Sequence, residues 1–276
     1  MTSARVLAER SCAWAEGPTR VGAWFPGDDA TVLGAFERAE APSLRRGSGG
    51  HTVVVGPGTL WVQLVLERSE HPADKLVNRH VRPLLRALTR ATSVPAHWFG
   101  RDWISMGKRP IGFVGFAHEA ASGRCLLEAV VAVSAPFVAA PRASFMGKAP
   151  ATLEELAGGA IDRAALVARV VEAYAPTASP REDWPTAGAA VTAEPPWGAT
   201  RDEAIGIVAA GRDAGGRMRV GGELMASRDA VAMLEDSLAR GDDVDGAVDA
   251  AFTTGVVFGV RSLASIRDAI VRASSS

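Results

Sequence analysis

A chain of 276 residues, 47% hydrophobic and with a formal charge of -1, is long enough to bury one large core or two smaller ones. Its balanced charge argues against general nucleic-acid binding, which needs a strongly basic face. Two widely spaced cysteines, Cys12 and Cys125, give neither a disulfide framework nor a zinc spacing and fit a reducing cytoplasm.

The N-terminus lacks the apolar core of a signal peptide. The longest apolar stretch, Leu126 to Ala140, is broken by Glu128 and Pro136 and is too short to cross a bilayer, so no membrane segment is expected. Residues 12 to 24 alternate around Trp14, Val21 and Trp24 as a first strand, with a turn at Pro26 to Asp29. Ala30 to Ala39 reads as a short helix leading to Pro42.

The stretch Leu44 to Trp61, LRRGSGGHTVVVGPGTLW, combines two arginines, a serine and flexible glycines just ahead of a strand. His51 to Val55 predicts that strand, ended by Gly56-Pro57-Gly58, and Leu60 to Glu67 a second one with good alternation. Glycines without Cβ let successive N–H groups converge on an oxyanion, and a guanidinium offers a planar fork for phosphate or carboxylate. Arg45, Arg46 and the loop Gly47 to Gly50 are therefore candidates for an anion cradle. The same residues also suit a mobile surface turn. No Lys-Ser/Thr pair follows the glycines, and they precede a strand, so neither nucleotide phosphate-loop pattern applies.

Further on, Asp74 to Ala91 has helical spacing, with Pro83 expected to bend or shorten it. His71, His80 and His97 form no ligand motif, and metal binding is not expected. Gly100 to Ser105, containing Arg101 and Asp102, leads through a turn at Met106 to Pro110 into a strand over Ile111 to Glu119. A hairpin at Ser122-Gly123 returns the chain through Cys125 to Ser134.

Glu154-Glu155 opens a short helix and Asp162 to Tyr174 forms another. Five prolines between Ala175 and Thr200 mark a linker. Beyond it, the pattern predicts a helix over Arg201 to Arg212, a strand at Arg217 to Val220, and helices after Ser227, from Asp242 to Thr254 and from Ser262 to Arg272.

Arg45-Arg46-x-Ser48-Gly49-Gly50-x-Thr52-Val53, followed by Gly58-Thr59-Leu60, resembles the signature of the biotin/lipoate protein ligase superfamily, in particular lipoate-protein ligase A. Gly221 to Met225 and the following helix are similar to that family's accessory C-terminal domain. The resemblance implies an α+β fold with mixed and antiparallel sheets flanked by helices, plus a small α+β C-terminal domain. It divides the chain into an acyl-adenylate domain at 1–180, a linker at 181–200 and an accessory domain at 201–276.

It also implies ATP and Mg²⁺ as cofactors, lipoate or octanoate (or biotin) as the acid, and a lysine on a lipoyl-type carrier domain as acceptor. A carboxylate would attack the α-phosphate of ATP, and the acyl-adenylate would then acylate that lysine. Arg45, Arg46, Ser48, Gly49, Gly50, His51, Arg109 and Gly115 would bind the acyl-adenylate, with an apolar tunnel lined by Val53, Trp61, Phe113, Phe116 and Val131. Both steps build negative charge, which positioned donors would stabilise.

The sequence departs from the family at three points. His51 stands where a third glycine is usual, Val55-Gly56 where many members have His-Asp, and Asp102-Trp103 where they have Asn-Asp. The family's lysine falls on Gly112 if Gly115-Phe116-Ala117 is its Gly-x-Ala, and on Arg109 if Gly112 is that glycine. Lys108 is the nearby lysine and the candidate catalytic residue, if the turn carries it into the site. Cys125, inside an apolar strand, reads as a packing residue more readily than as a thioester nucleophile. Two readings result: an ATP-dependent ligase, or a catalytically reduced relative that serves as a binding or partner protein.

Overall fold

The computed structural model describes residues 2–69, 72–100, 102–140, 142, 145–204 and 206–275. His71 and Arg101 lie outside these. The chain begins with α1 (Ala4–Cys12), capped by the Ser3 hydroxyl, then β1 (Arg20–Trp24), β2 (Ala30–Leu33), β3 (Ser43–Arg45), β4 (Val53–Val55) and β5 (Thr59–Leu66). Next come α2 (Ala73–Thr92), β6 (Ala96–Trp98), β7 (Trp103–Met106), β8 (Arg109–Glu119) and β9 (Arg124–Ala132). They are followed by α3 (Leu153–Ala157), α4 (Arg163–Tyr174), β10 (Ser179–Pro180) and β11 (Ala190–Val191). The C-terminal part holds β12 (Ala199–Glu203), β13 (Gly206–Arg212), β14 (Met218–Gly222), β15 (Met225–Ala226), α5 (Arg228–Arg240), α6 (Val244–Thr254), β16 (Val257–Phe258) and α7 (Ala264–Ser274).

The architecture is α+β. A seven-stranded sheet runs β10-β1-β5-β9-β8-β7-β6, antiparallel except where β10 joins β1. A smaller sheet, β11-β3-β2-β4, carries the glycine loop between β3 and β4. Side chains alternate across the large sheet. One face packs Val62, Leu64, Val114, Phe116, Leu127 and Val131 against α2 and α4. The other buries Trp61, Phe113 and Val130 against α1 and the small sheet.

Pro83 does not end α2, which runs unbroken for 20 residues. The ring is buried, and one turn away the Tyr174 hydroxyl of α4 donates to the His80 carbonyl at 2.7 Å, tying the helix to α4 beside the proline.

Two predicted helices are strands. Ala30 to Leu33 pairs with β3 on one side and β4 on the other, and the chain then turns at Gly34, whose N–H the Glu37 carboxylate accepts at 2.6 Å. Arg201 to Arg212 forms the β12–β13 hairpin, with Val208 and Ala210 facing a separate apolar core made with Leu234, Val248 and Ile266. Three-residue spacing of apolar groups fitted a helix there, but pairing with β14 overrides it. The first strand is confined to 20–24 because α1 runs to Cys12 and the residues between them turn.

The proline-rich stretch is laid along the first core. β10 and β11 each extend a sheet, Ala187 N–H donates to the Glu9 carbonyl at 3.0 Å, and Trp184 meets Trp24 edge-on at 5.1 Å.

Candidate functional site

The glycine loop is buried from Arg46 to His51 and lies over β8 and β9. Its seat exists because Gly115 and Glu128 are cross-strand partners: a Cβ on Gly115 would stand 2.4 Å from Ser48 Oγ. Each loop N–H is spoken for. Gly47 donates to Ser11 Oγ at 2.7 Å, Ser48 to Glu128 Oε2 at 3.2 Å, Gly49 to the Phe116 carbonyl at 2.9 Å and Gly50 to the Leu224 carbonyl at 2.8 Å.

Arg46 is likewise engaged. Its guanidinium donates to Ser48 Oγ and to the carbonyls of Val32, Gly49 and His51, and it lies 4.3 Å from the centre of the Phe113 ring. Burial lowers its pKa, while Glu128, Glu37 and Glu223 hold it up. Arg45 points the other way, to the Glu37 carbonyl at 2.6 Å and Glu194 Oε2 at 2.5 Å.

Glu128 was read only as an interruption of an apolar run, yet it is the anion of this loop. Fully buried at the sheet centre, it takes the Ser48 N–H on one oxygen and Trp61 Nε1 on the other at 2.9 Å. A lone acid inside a strand that is otherwise apolar was the available signal. Leu224, between β14 and β15, belongs to the Gly221 to Met225 stretch that carries the accessory-domain resemblance, but only the fold shows that its carbonyl would lie 2.0 Å from a Cβ on Gly49.

His51, in the place of a glycine, is also fully buried. Nδ1 lies 2.5 Å from Asp102 Oδ2, and the ring sits edge-on to Phe113 at 4.8 Å, with Phe145 beyond. Burial lowers its pKa, opposed by Asp102, so the neutral ring donates from Nδ1. Nε2 and Asp102 Oδ1 have no hydrogen-bond partner among the described residues.

The structure brings Gly115 to the loop and leaves Lys108 and Arg109 away from it. β8 starts at Arg109, so at 3.3 Å per residue these cations stand roughly 20 Å along the strand from Gly115. Arg109 binds Glu155 and the carbonyls of Ala149 and Pro150. Gly115 is the glycine beneath the loop, and three residues before it stands Gly112. A Cβ there would lie 2.7 Å from the Val130 carbonyl, so the backbone leaves no room for a side chain.

Lys108 is exposed at the tip of the β7–β8 hairpin, where it and Gly107 have φ of 66° and 55°. Left-handed backbone at a lysine costs about 1 kcal/mol. The five tunnel candidates split between the two faces of the sheet, with Val53, Trp61 and Phe113 on one and Phe116 and Val131 on the other, so they cannot line a single channel. Burial pushes the Cys125 thiol up to about 12, which leaves it unreactive.

No family model matches the chain, and no curated protein does. Solved structures do. A protein from T. acidophilum assigned as a lipoate protein ligase, with lipoic acid bound, aligns at a TM-score of 0.52 and 14% identity, covering 66% of this chain and 84% of that one. A lipoate-protein ligase A bound with ATP aligns at 0.51 and 15%, covering 64% and 82%.

The chain has the lipoate-protein ligase fold. Within that fold the glycine loop lies against the sheet, with Glu128, His51 and Leu224 around it. Among the described residues no group of three or more His, Cys, Asp or Glu is arranged to hold a metal ion, and no helix is long and apolar enough to cross a membrane.

Proposed function

We propose that this protein uses the lipoate-ligase fold for binding a protein partner and does not form an acyl-adenylate at its glycine loop. Glu128 carries this reading. An anion cradle acts on a phosphate through free N–H groups and unspent guanidinium donors, and here a carboxylate of the chain itself takes the Ser48 N–H while loop carbonyls consume Arg46. A triphosphate brought to this loop would meet like charge on Glu128. Neither ATP nor Mg²⁺ therefore fits the loop as it stands, and lipoate or octanoate would not be activated there. The lipoyl-type carrier domain is on this reading a binding partner, not an acceptor.

Incubation with ATP, Mg²⁺ and lipoate, octanoate or biotin is expected to give no acyl-adenylate by mass spectrometry, with Lys108→Ala indistinguishable from the parent. Any acyl-adenylate overturns the proposal.

The ligase reading retains one favourable observation: Gly50 is capped from the C-terminal part, by Leu224, so withdrawal of that strap would free its N–H. Detecting the adenylate only in a variant that loosens the strap, such as Gly49→Ala, would establish it.

A further inference from the structure

The face that remains available lies at the far end of β8. A recess of about 400 Å³ is lined by Val94, Pro95, His97, Phe99, Lys108 and Lys148, among others, and by no carboxylate. Phe99 is 70% exposed, the largest value among the large apolar residues described, and its ring stacks on His97 at 5.7 Å. Met146, 55% exposed, lies two residues from Lys148.

The chain has only three lysines, and two of them meet here. Lys75 pairs with Asp74, whereas neither Lys108 nor Lys148 has a carboxylate partner among the described residues. Lys148, which lines the recess, has its Nζ 5.4 Å from the Trp103 ring centre, a cation–π contact that steadies the ammonium. Lys108 occupies left-handed backbone, in a turn where asparagine or glycine is the relaxed choice. A lysine that merely keeps a surface soluble has no need of such a position.

We propose that this recess docks an acidic segment of a partner protein, with carboxylates on Lys108 and Lys148 and an apolar side chain against Phe99. The inference rests on the partner-binding reading and supplies the surface for it. The exposed apolar rings and the chain's overall charge of -1 favour a polypeptide over a nucleic acid, whose binding needs an extended basic face.

The test uses the full chain and a labelled short peptide of alternating glutamate and leucine, followed by fluorescence anisotropy. Saturable, salt-sensitive binding is expected. Phe99→Ser and the double variant Lys108→Asn/Lys148→Gln should each weaken it about ten-fold or more without lowering the melting temperature, since these side chains are exposed or partly exposed. A peptide with lysine in place of glutamate should not bind.

Unchanged binding by the double variant overturns the proposal. So does an oligothymidylate of equal charge that binds as tightly as the peptide, because it would make the recess a nucleic-acid site. An acyl-adenylate found alongside intact peptide binding would sink only the non-adenylating reading, whereas absence of both adenylate and peptide binding would sink only the docking site.

Discussion

The glycine loop and the β7–β8 turn are made of the same ingredients, glycines beside cations, and they end in opposite states. At the loop, four N–H groups and the Arg46 guanidinium are satisfied inside the protein. At the turn, Lys108 and Lys148 reach an open recess with no carboxylate along its lining. Positive charge near flexible backbone is thus not sufficient for an anion site. What matters is whether the fold has already supplied the anion.

The sharpest way to break the comparison is at Glu128. Glu128→Ala would leave the Ser48 N–H and Trp61 Nε1 unpaired and remove the carboxylate that does most to hold up the charge of the buried Arg46. A loss of about 3–5 kcal/mol in chemical denaturation is expected. A loss under about 1 kcal/mol would mean that the loop does not depend on its internal carboxylate.

Gly49→Ala is expected to cost less, about 1–3 kcal/mol, because its Cβ would collide with the Leu224 carbonyl and the strap can shift to relieve it. The diagnostic readout is local: hydrogen exchange should rise at Gly50 and along β14 to β15 more than in the large sheet. A uniform rise across the molecule would argue against a strap that opens separately.

Much of this arrangement was legible in the residues, and the failures have physical reasons. Alternation identified β5, and the strands at β8 and β9 and the helices at α4 and α6 also stand where the residue pattern placed them, because each is a continuous run between turn residues. Ala30 to Leu33 and Arg201 to Arg212 failed because short apolar segments fit either period, and only partner strands decide between them. The loop motif singled out the residues that the structure buries over β8 and β9. Its contents depended on Glu128, Phe113 and Leu224, separated from it by 60 to 180 residues, roughly, and no local pattern reports such distances. Lys108 was drawn toward the site by proximity in sequence to Gly112, while the extended strand carries it away.

The loop also predicts a pH response that the turn lacks. His51 is buried neutral, with its folded pKa below the usual histidine value of about 6.5. The unfolded chain therefore binds the proton more readily. Stability is complete above pH of about 6.5 and falls as pH drops below it toward the folded value, by at most about 1.4 kcal/mol per pH unit for one histidine. His118, buried against Ser227 and also shifted down, adds in the same direction. His51→Asn should remove its share of the slope between pH 5 and 6.5, roughly, in urea titrations. An unchanged slope would assign the response to His118 alone.

The smallest expected effect is at the turn, and its sign is its value. With Lys108 at φ 66° and its exposed side chain in no ion pair among the described residues, replacing it by glycine removes left-handed strain. Glycine gains freedom in the unfolded chain, which offsets part of the relief, so the net change should be a stabilisation of about 0.5–1 kcal/mol. Stabilisation on removing the one lysine that reaches the end of the hairpin would mean the folded protein gives up stability to hold that ammonium over the recess. If Lys108→Gly destabilises instead, the lysine contributes to the fold, and the contrast between a spent loop and a poised turn loses its second half.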